Sequence, residues 1–153
     1  MDPESNLKKF GITLPDAPKP VGAYAAYIKS GNLVFISGQV SFDKDGKLIR
    51  GKVGSDLSLE QGQEAAKACA INILSQIKAA CNGDLKQVKN CIKISGYVNS
   101  KDDFTEQPKV INGASELIVN IFGDVGKHAR AAVSVNSLPL GAAVEIEAIF
   151  KVN

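Results

Sequence analysis

The stretch Ser58–Gly83, SLEQGQEAAKACAINILSQIKAACNG, limits the possible folds more than any other part of the chain. Ser58 followed three residues later by Gln61 has the form of a capping box, in which each side chain satisfies a backbone N–H at the start of a helix. Leu59, Gly62, Ala66, Cys69, Ile73, Ile77 and Ala80 recur at spacings of three and four, which places them on one stripe. Gly83 supplies the stop. A helix with a single apolar stripe has to lay that stripe on another element. A second helical pattern runs from about Lys109 to Val125, with Val110, Ala114, Leu117, Ile118, Ile121 and Phe122 as its stripe and Gly126 at its end.

The other segments read as strands. Tyr24–Ser30 and Leu33–Gln39 form a hairpin around the permissive Gly31-Asn32 turn. The continuous LVFI run in its second strand suggests burial on both faces. In VKNCIKISGYVNS, Val88, Ile92, Ile94 and Val98 fall mostly on one side, and Lys89, Lys93 and Tyr97 on the other. HARAAVSV and VEIEAIF read as a final hairpin that turns at SLPLG. Residues 4–11 form one or two helical turns, DKDGK is a turn, and the residues from there to Ser58 are a loop. LPDAPKPVG has three prolines in nine residues and runs extended over a surface, so residues 1–20 are an arm packed on a single domain, 1–153. The order β-β-α-β-α-β-β has too few strands for a doubly wound sheet, and predicts an α+β fold with one mixed sheet and two helices packed on one face.

Composition narrows the function classes. With 18 basic and 16 acidic residues and a net charge of +2, nothing points to nucleic acid or an anionic membrane as partner. Lys8 and Lys9, and Lys86, Lys89 and Lys93, read as solvated faces. Cys69, Cys81 and Cys91 are odd in number, lack CxxC spacing and read as reduced packing residues. The N-terminus is acidic and polar, and no stretch approaches the roughly 18 apolar residues of a membrane span. The expectation is a soluble, cytoplasmic protein.

Arg130 and two carboxylates stand out in the last two strands. By alternation Arg130, Ala132, Ser134 and Asn136 share one side, and Ala131, Val133 and Val135 the other. In the last strand Val144, Ile146, Ala148, Phe150 and Val152 oppose Glu145, Glu147, Ile149 and Lys151. If the apolar sets lie under the helices, Arg130, Glu145 and Glu147 share the second face with Ile149 and the LVFI strand. A face that mixes ionic groups with large apolar residues calls for a cover, and a second copy of the chain is the simplest one. Arg130 then sits at a subunit boundary. It either grips a carboxylate through two parallel hydrogen bonds or pairs with Glu145 or Glu147 as structural glue.

Gly22-Ala23-Tyr24, NLVFISGQV, the helix and strand after it, ARAAVSV, the Leu-Pro turn and VEIEAI together resemble the Rid family, the reactive intermediate deaminases also called YjgF or endoribonuclease L-PSP-like proteins. The resemblance runs from Val21 to Val152. It implies a chorismate-mutase-like fold, a homotrimer whose sheets form a central barrel, and clefts between subunits. The activity it implies is cofactor-free hydrolysis of reactive 2-imino acids, or their enamine tautomers, to 2-oxo acids and ammonia. Carried over by position, Arg130 holds the substrate carboxylate and Glu145 positions or activates water. Tyr24, Ser37, Gly38 and Asn112 line the same cleft, and Glu147 is structural. No metal or organic cofactor is called for: the chain has a single histidine, and no glycine-rich phosphate loop. That histidine, His128, is expected to be solvated at the start of its strand.

Departures from the family pattern point to a longer subfamily. Ala23 and His128 replace prolines, Ala132 replaces a cysteine, and residues 48–62 lengthen the first strand-to-helix connection. Two alternatives accompany the hydrolase. One is a non-catalytic module that binds a 2-oxo acid or other small carboxylate. The other is an endoribonuclease, which the lack of a basic stripe, an aromatic platform or paired histidines disfavours.

Overall fold

A computed structural model describes residues 2–153. The elements are α1 (Pro3–Lys9), β1 (Tyr27–Ser30), β2 (Leu33–Val40), α2 (Leu59–Ala80), β3 (Val88–Asn99), α3 (Gln107–Phe122), β4 (Ala129–Val135) and β5 (Val144–Val152). The strands form one sheet in the order β1-β2-β5-β3-β4, antiparallel except for the parallel pair β3 and β4. Helices α2 and α3 pack together on one face, and α1 packs against α3 through an Asn6 Nδ2 bond to the Ile121 carbonyl at 2.9 Å. This is the chorismate-mutase-like α+β architecture.

The long helix begins as its sequence demands. Ser58 Oγ accepts from the Gln61 N–H at 3.1 Å while Gln61 Oε1 accepts from the Ser58 N–H at 2.8 Å, a cap contributing about 1 kcal/mol. Gly62, Ala66, Cys69, Ile73, Ile77 and Ala80 are buried, as are all six stripe residues of α3. The two helices meet closely at Gly113, where an added β-carbon would collide with the Gln63 carbonyl. Phe150 is fully buried and meets the Phe122 ring edge-on at 6.1 Å between centroids, a contact contributing about 1 kcal/mol beyond its area.

Five expectations are corrected. The last two strands are not a hairpin, because β3 lies between β4 and β5. α3 makes the crossover that a parallel pair requires, and residues 136–143 carry the chain past the end of β3, where Asn99 N–H donates to the Ala143 carbonyl at 2.9 Å. The LVFI run is not doubly buried: Val34 and Ile36 face the helices, whereas Phe35 is 42% exposed. A register shift between Cys91 and Lys93 gives Cys91 the buried position expected for Ile92, which is exposed. β1 starts at Tyr27 rather than Tyr24.

The fifth correction bears on the site. Arg130 is in register with Ile94, and Ile94 with Ala148, both buried beneath the helices. Residues in register share a face, so Arg130, Ala132 and Ser134 lie on the helix side. Val133 points away and is 47% exposed. Glu145 is level with Tyr97 and Val133, on the open face. β4 is an edge strand at the rim of the helical layer, so polar side chains of α3 meet Arg130 and Ser134 on its inner side, while Ala132 between them packs against the core.

Candidate active site

Arg130 is half-buried, and its Nη1 donates to Asn112 Oδ1 at 2.8 Å and to Ser115 Oγ at 3.2 Å. Asn112 and Ser115 are three residues apart on α3 and therefore share the face turned to β4. Both acceptors are neutral. Among the described residues Arg130 forms no ion pair, and its Nε and Nη2 hydrogens have no protein acceptor. The guanidinium is thus held on one side and open on the other, where two parallel donors suit a carboxylate. The structural ion pair with Glu145 or Glu147 is not formed within the chain: Tyr97 Oη donates to Glu147 Oε1 at 3.2 Å instead.

Farther along the same groove, Ser134 Oγ accepts from Gln107 Nε2 at 2.8 Å and bonds Ser100 Oγ at 2.7 Å. The long connection packs at that end. Lys52 Nζ reaches Asn99 Oδ1 at 3.0 Å and the Asn136 carbonyl at 2.8 Å. The extra length of residues 48–62 therefore lies toward the end of β4 remote from Arg130.

Glu145 belongs to a second group on the other face. The register between β2 and β5 slips between Ile36 and Gln39, so that Ser37 and Gly38 form a bulge. Ser37 is fixed by its hydroxyl, which donates to the Ala25 carbonyl at 2.7 Å, and by its N–H, which donates to the Ala26 carbonyl at 3.0 Å. Gly38 supplies the space Glu145 occupies, because a β-carbon there would collide with the Glu145 carboxylate. Partial burial holds the Glu145 carboxyl above its ordinary range, and the neighbouring Glu147 charge adds to the effect. The Tyr97 phenol is raised as well, by burial and by Glu147. Tyr24 and Gly38 line a small cleft of about 80 Å³ under the arm residues Pro18–Val21, and the Tyr24 hydroxyl accepts from the Val21 N–H at 3.4 Å. Ser37 lies instead in a shallow cleft of about 300 Å³ on the open face, beside Phe35, Ile149 and Glu147.

The sequence-predicted residues therefore fall into two sets. Arg130 and Asn112 meet on the helix side of the edge strand. Tyr24, Ser37, Gly38 and Glu145 gather around the bulge. Within one chain the sets do not meet: Arg130 and Glu145 are two strands and three residues apart in register, about 14 Å between Cα atoms at ~4.8 Å per strand and ~3.3 Å per residue. They also face opposite ways. Ser115 escaped the sequence reading, although its i+3 spacing from Asn112 is a signal that both serve one partner. His128, expected to be solvated, is held by two hydrogen bonds. Among the described residues no three His, Cys, Asp or Glu side chains converge as metal ligands, and no helix is long and apolar enough to cross a membrane.

Comparison with known proteins agrees with this architecture. Residues 4–150 match the family described as "YjgF/chorismate_mutase-like, putative endoribonuclease". Protein TCP17 of Trypanosoma cruzi is 46% identical over 150 residues, covering 97% of this chain and 93% of its own. The crystal structure of Atu1372 from Agrobacterium tumefaciens, a protein described as of unknown function, is 46% identical and superposes with a TM-score of 0.91 over 99% of this chain and 94% of that one. A 2-iminobutanoate/2-iminopropanoate deaminase of Dermatophagoides farinae is 26% identical over 139 residues, 90% of this chain and 92% of its own. The chain belongs to the Rid (YjgF/RutC) family.

Proposed function

We propose that the protein hydrolyses small 2-imino acids, or their enamine tautomers, to 2-oxo acids and ammonia, in clefts formed between copies of the chain. The observation that carries this reading is the state of Arg130, tied by two neutral oxygens and left without a carboxylate. A cation so placed is a receptor for a small acid. The named deaminase among the relatives supplies the reaction class.

The chemistry asks little more of the chain. Arg130 anchors the substrate carboxylate, which fixes the adjacent imine carbon. A carbon doubly bonded to protonated nitrogen is already electrophilic, so an oriented water can add to it. Glu145, whose pKa partial burial raises, accepts the water's proton and returns it to the nitrogen. The C–N bond of the tetrahedral intermediate then breaks as its hydroxyl proton passes to Glu145, releasing ammonia and leaving the 2-oxo acid. Water supplies the new carbonyl oxygen and no electrons are exchanged, so the step calls for no redox cofactor.

Because the two halves lie on opposite faces of one sheet, this reaction needs Arg130 and Asn112 of one copy beside Glu145, Gly38, Ser37 and Tyr24 of another. A homotrimer would bring them together. In support, the open face carries a row of Ile28, Phe35 and Ile149 in register, with Ile28 57% exposed, an apolar patch that a partner copy would bury.

The test generates the imine in situ with an amino-acid oxidase and follows its decay. The protein accelerates decay, and Arg130→Ala lowers kcat/KM about 30- to 150-fold, the loss of charge-assisted hydrogen bonds contributing about 2–3 kcal/mol. Full activity in Arg130→Ala, or no acceleration with any precursor, refutes the proposal. A second reading, carboxylate binding without turnover, is favoured by the completeness of the Arg130 half within one chain. Pyruvate binding that depends on Arg130 in a protein with no imine turnover would select it.

A further inference from the structure

The single histidine is built into the support of Arg130. His128 Nδ1 lies 2.7 Å from the Gly126 carbonyl oxygen. That oxygen only accepts, so a ring with one proton carries it on Nδ1. Nε2 then offers a lone pair, and the Ser115 hydroxyl donates to it at 2.8 Å. With its proton so committed, Ser115 Oγ has lone pairs alone to present to Arg130 Nη1 at 3.2 Å. Each link from carbonyl to imidazole to hydroxyl to guanidinium fixes the direction of the next. Without the ring, the hydroxyl is free to take other rotamers, including donation to the carbonyl one turn back in α3, as helical serines do.

All the acceptors in this relay are neutral, and among the described residues no carboxylate pairs with Arg130. Asp124 pairs with Lys127 at 3.1 Å, and Glu116 lines a separate groove with Lys67 on the α2 side of α3. The support thus restricts the guanidinium without cancelling its charge. An aliphatic side chain at position 128 would leave the charge intact but not restrict the guanidinium, and a carboxylate there would restrict it while cancelling its charge.

We infer that His128, acting through Ser115, is a positioning residue for acid recognition: it locks the Arg130 rotamer that ties Nη1 back and turns the free edge of the guanidinium toward the incoming carboxylate. This rests on Arg130 being the carboxylate receptor proposed above. His128 and Ser115 stand behind the arginine, so their contribution is to ground-state and transition-state binding alike. Their loss should appear in KM and in affinity rather than in kcat.

Calorimetry with pyruvate, run beside the imine assay and thermal melts, separates the possibilities. Ser115→Ala and His128→Phe weaken pyruvate binding and raise KM about five- to tenfold, the worth of one ordinary hydrogen bond, because both act on the arginine and not on the ligand. In both, kcat stays within about twofold of the wild type. His128→Gln, which keeps an acceptor near the Nε2 position, restores most of the affinity. Wild-type pyruvate binding in Ser115→Ala and His128→Phe, with Arg130→Ala unable to bind, overturns the positioning role alone. Equal weakening by His128→Gln and His128→Phe at equal melting temperature overturns it too. Wild-type pyruvate binding in Arg130→Ala instead overturns the receptor reading on which it stands.

Discussion

Replacing Gly38 by alanine adds a single carbon and tests whether Glu145 works from the place the bulge gives it. Gly38 does not have a positive φ, so alanine costs the backbone little. The new methyl group overlaps the Glu145 carboxylate, with Cγ next nearest at 3.2 Å. The flexible carboxylate has to swing aside by an ångström or more. A misplacement of that size costs a positioned base about 10²-fold in rate. Stability should barely move. The displaced carboxylate gains solvent and sheds part of the burial penalty that raises its pKa, which offsets the lost packing. We expect a net change under ~1 kcal/mol, or less than about 4 °C in Tm. The assay pairs imine turnover with pyruvate calorimetry and a thermal melt. The expected pattern is a kcat about 100-fold down, unchanged Arg130-dependent affinity and an unchanged melt. Turnover within about twofold of wild type would show that Glu145 does not act from this position. A loss of affinity as large as the loss of rate would show that the bulge serves binding.

Two further outcomes follow from the same geometry. Glu145→Gln abolishes turnover yet stabilises the protein at neutral pH. The folded-state pKa of Glu145 is raised by burial above the unfolded value, so the ionised form destabilises the fold, and this cost grows as pH rises through the folded pKa. The Tm advantage of the variant is therefore present at neutral pH and vanishes below the ordinary carboxyl range; an advantage that persists in acid refutes it. Phe35→Asp puts a charge in the apolar row of the open face. It should leave the circular dichroism of the fold intact while sedimentation shows a monomer without imine turnover; an oligomer of wild-type size and activity would count against the two-copy site.

The helices were legible in the sequence because their signals are local. The Ser58 and Gln61 cap and the stripe from Gly62 to Ala80 are both read within a few turns. The short motifs SGQ and VEIEAI carried the family and, with it, the residues around Glu145. What was not legible depends on contacts distant in sequence. Alternation sorts Arg130 from Ala131 but does not say which side meets the helices, and on an edge strand the apolar set can be the exposed one, as Val133 is. The SLPLG segment fits a hairpin turn and a passage around β3 equally well until the pairing of β3 with both neighbours is known. A bulge shifts the phase of alternation by one residue, which is why Cys91 rather than Ile92 is inside. The hydrogen bonds of His128 join the middle of α3 and the turn after it to the start of β4, a junction that no local pattern encodes.

The placement of Arg130 and Glu145 on opposite sides of one sheet has a consequence for gene dosage. In the ring proposed above, each copy would lend its arginine to one neighbour and its glutamate to the other. A subunit damaged at one of these positions silences a single cleft, whereas a subunit damaged at both silences two. Mixed rings of intact and defective chains would then lose output in unequal steps, and a doubly defective allele would depress its healthy counterpart more than either single lesion does.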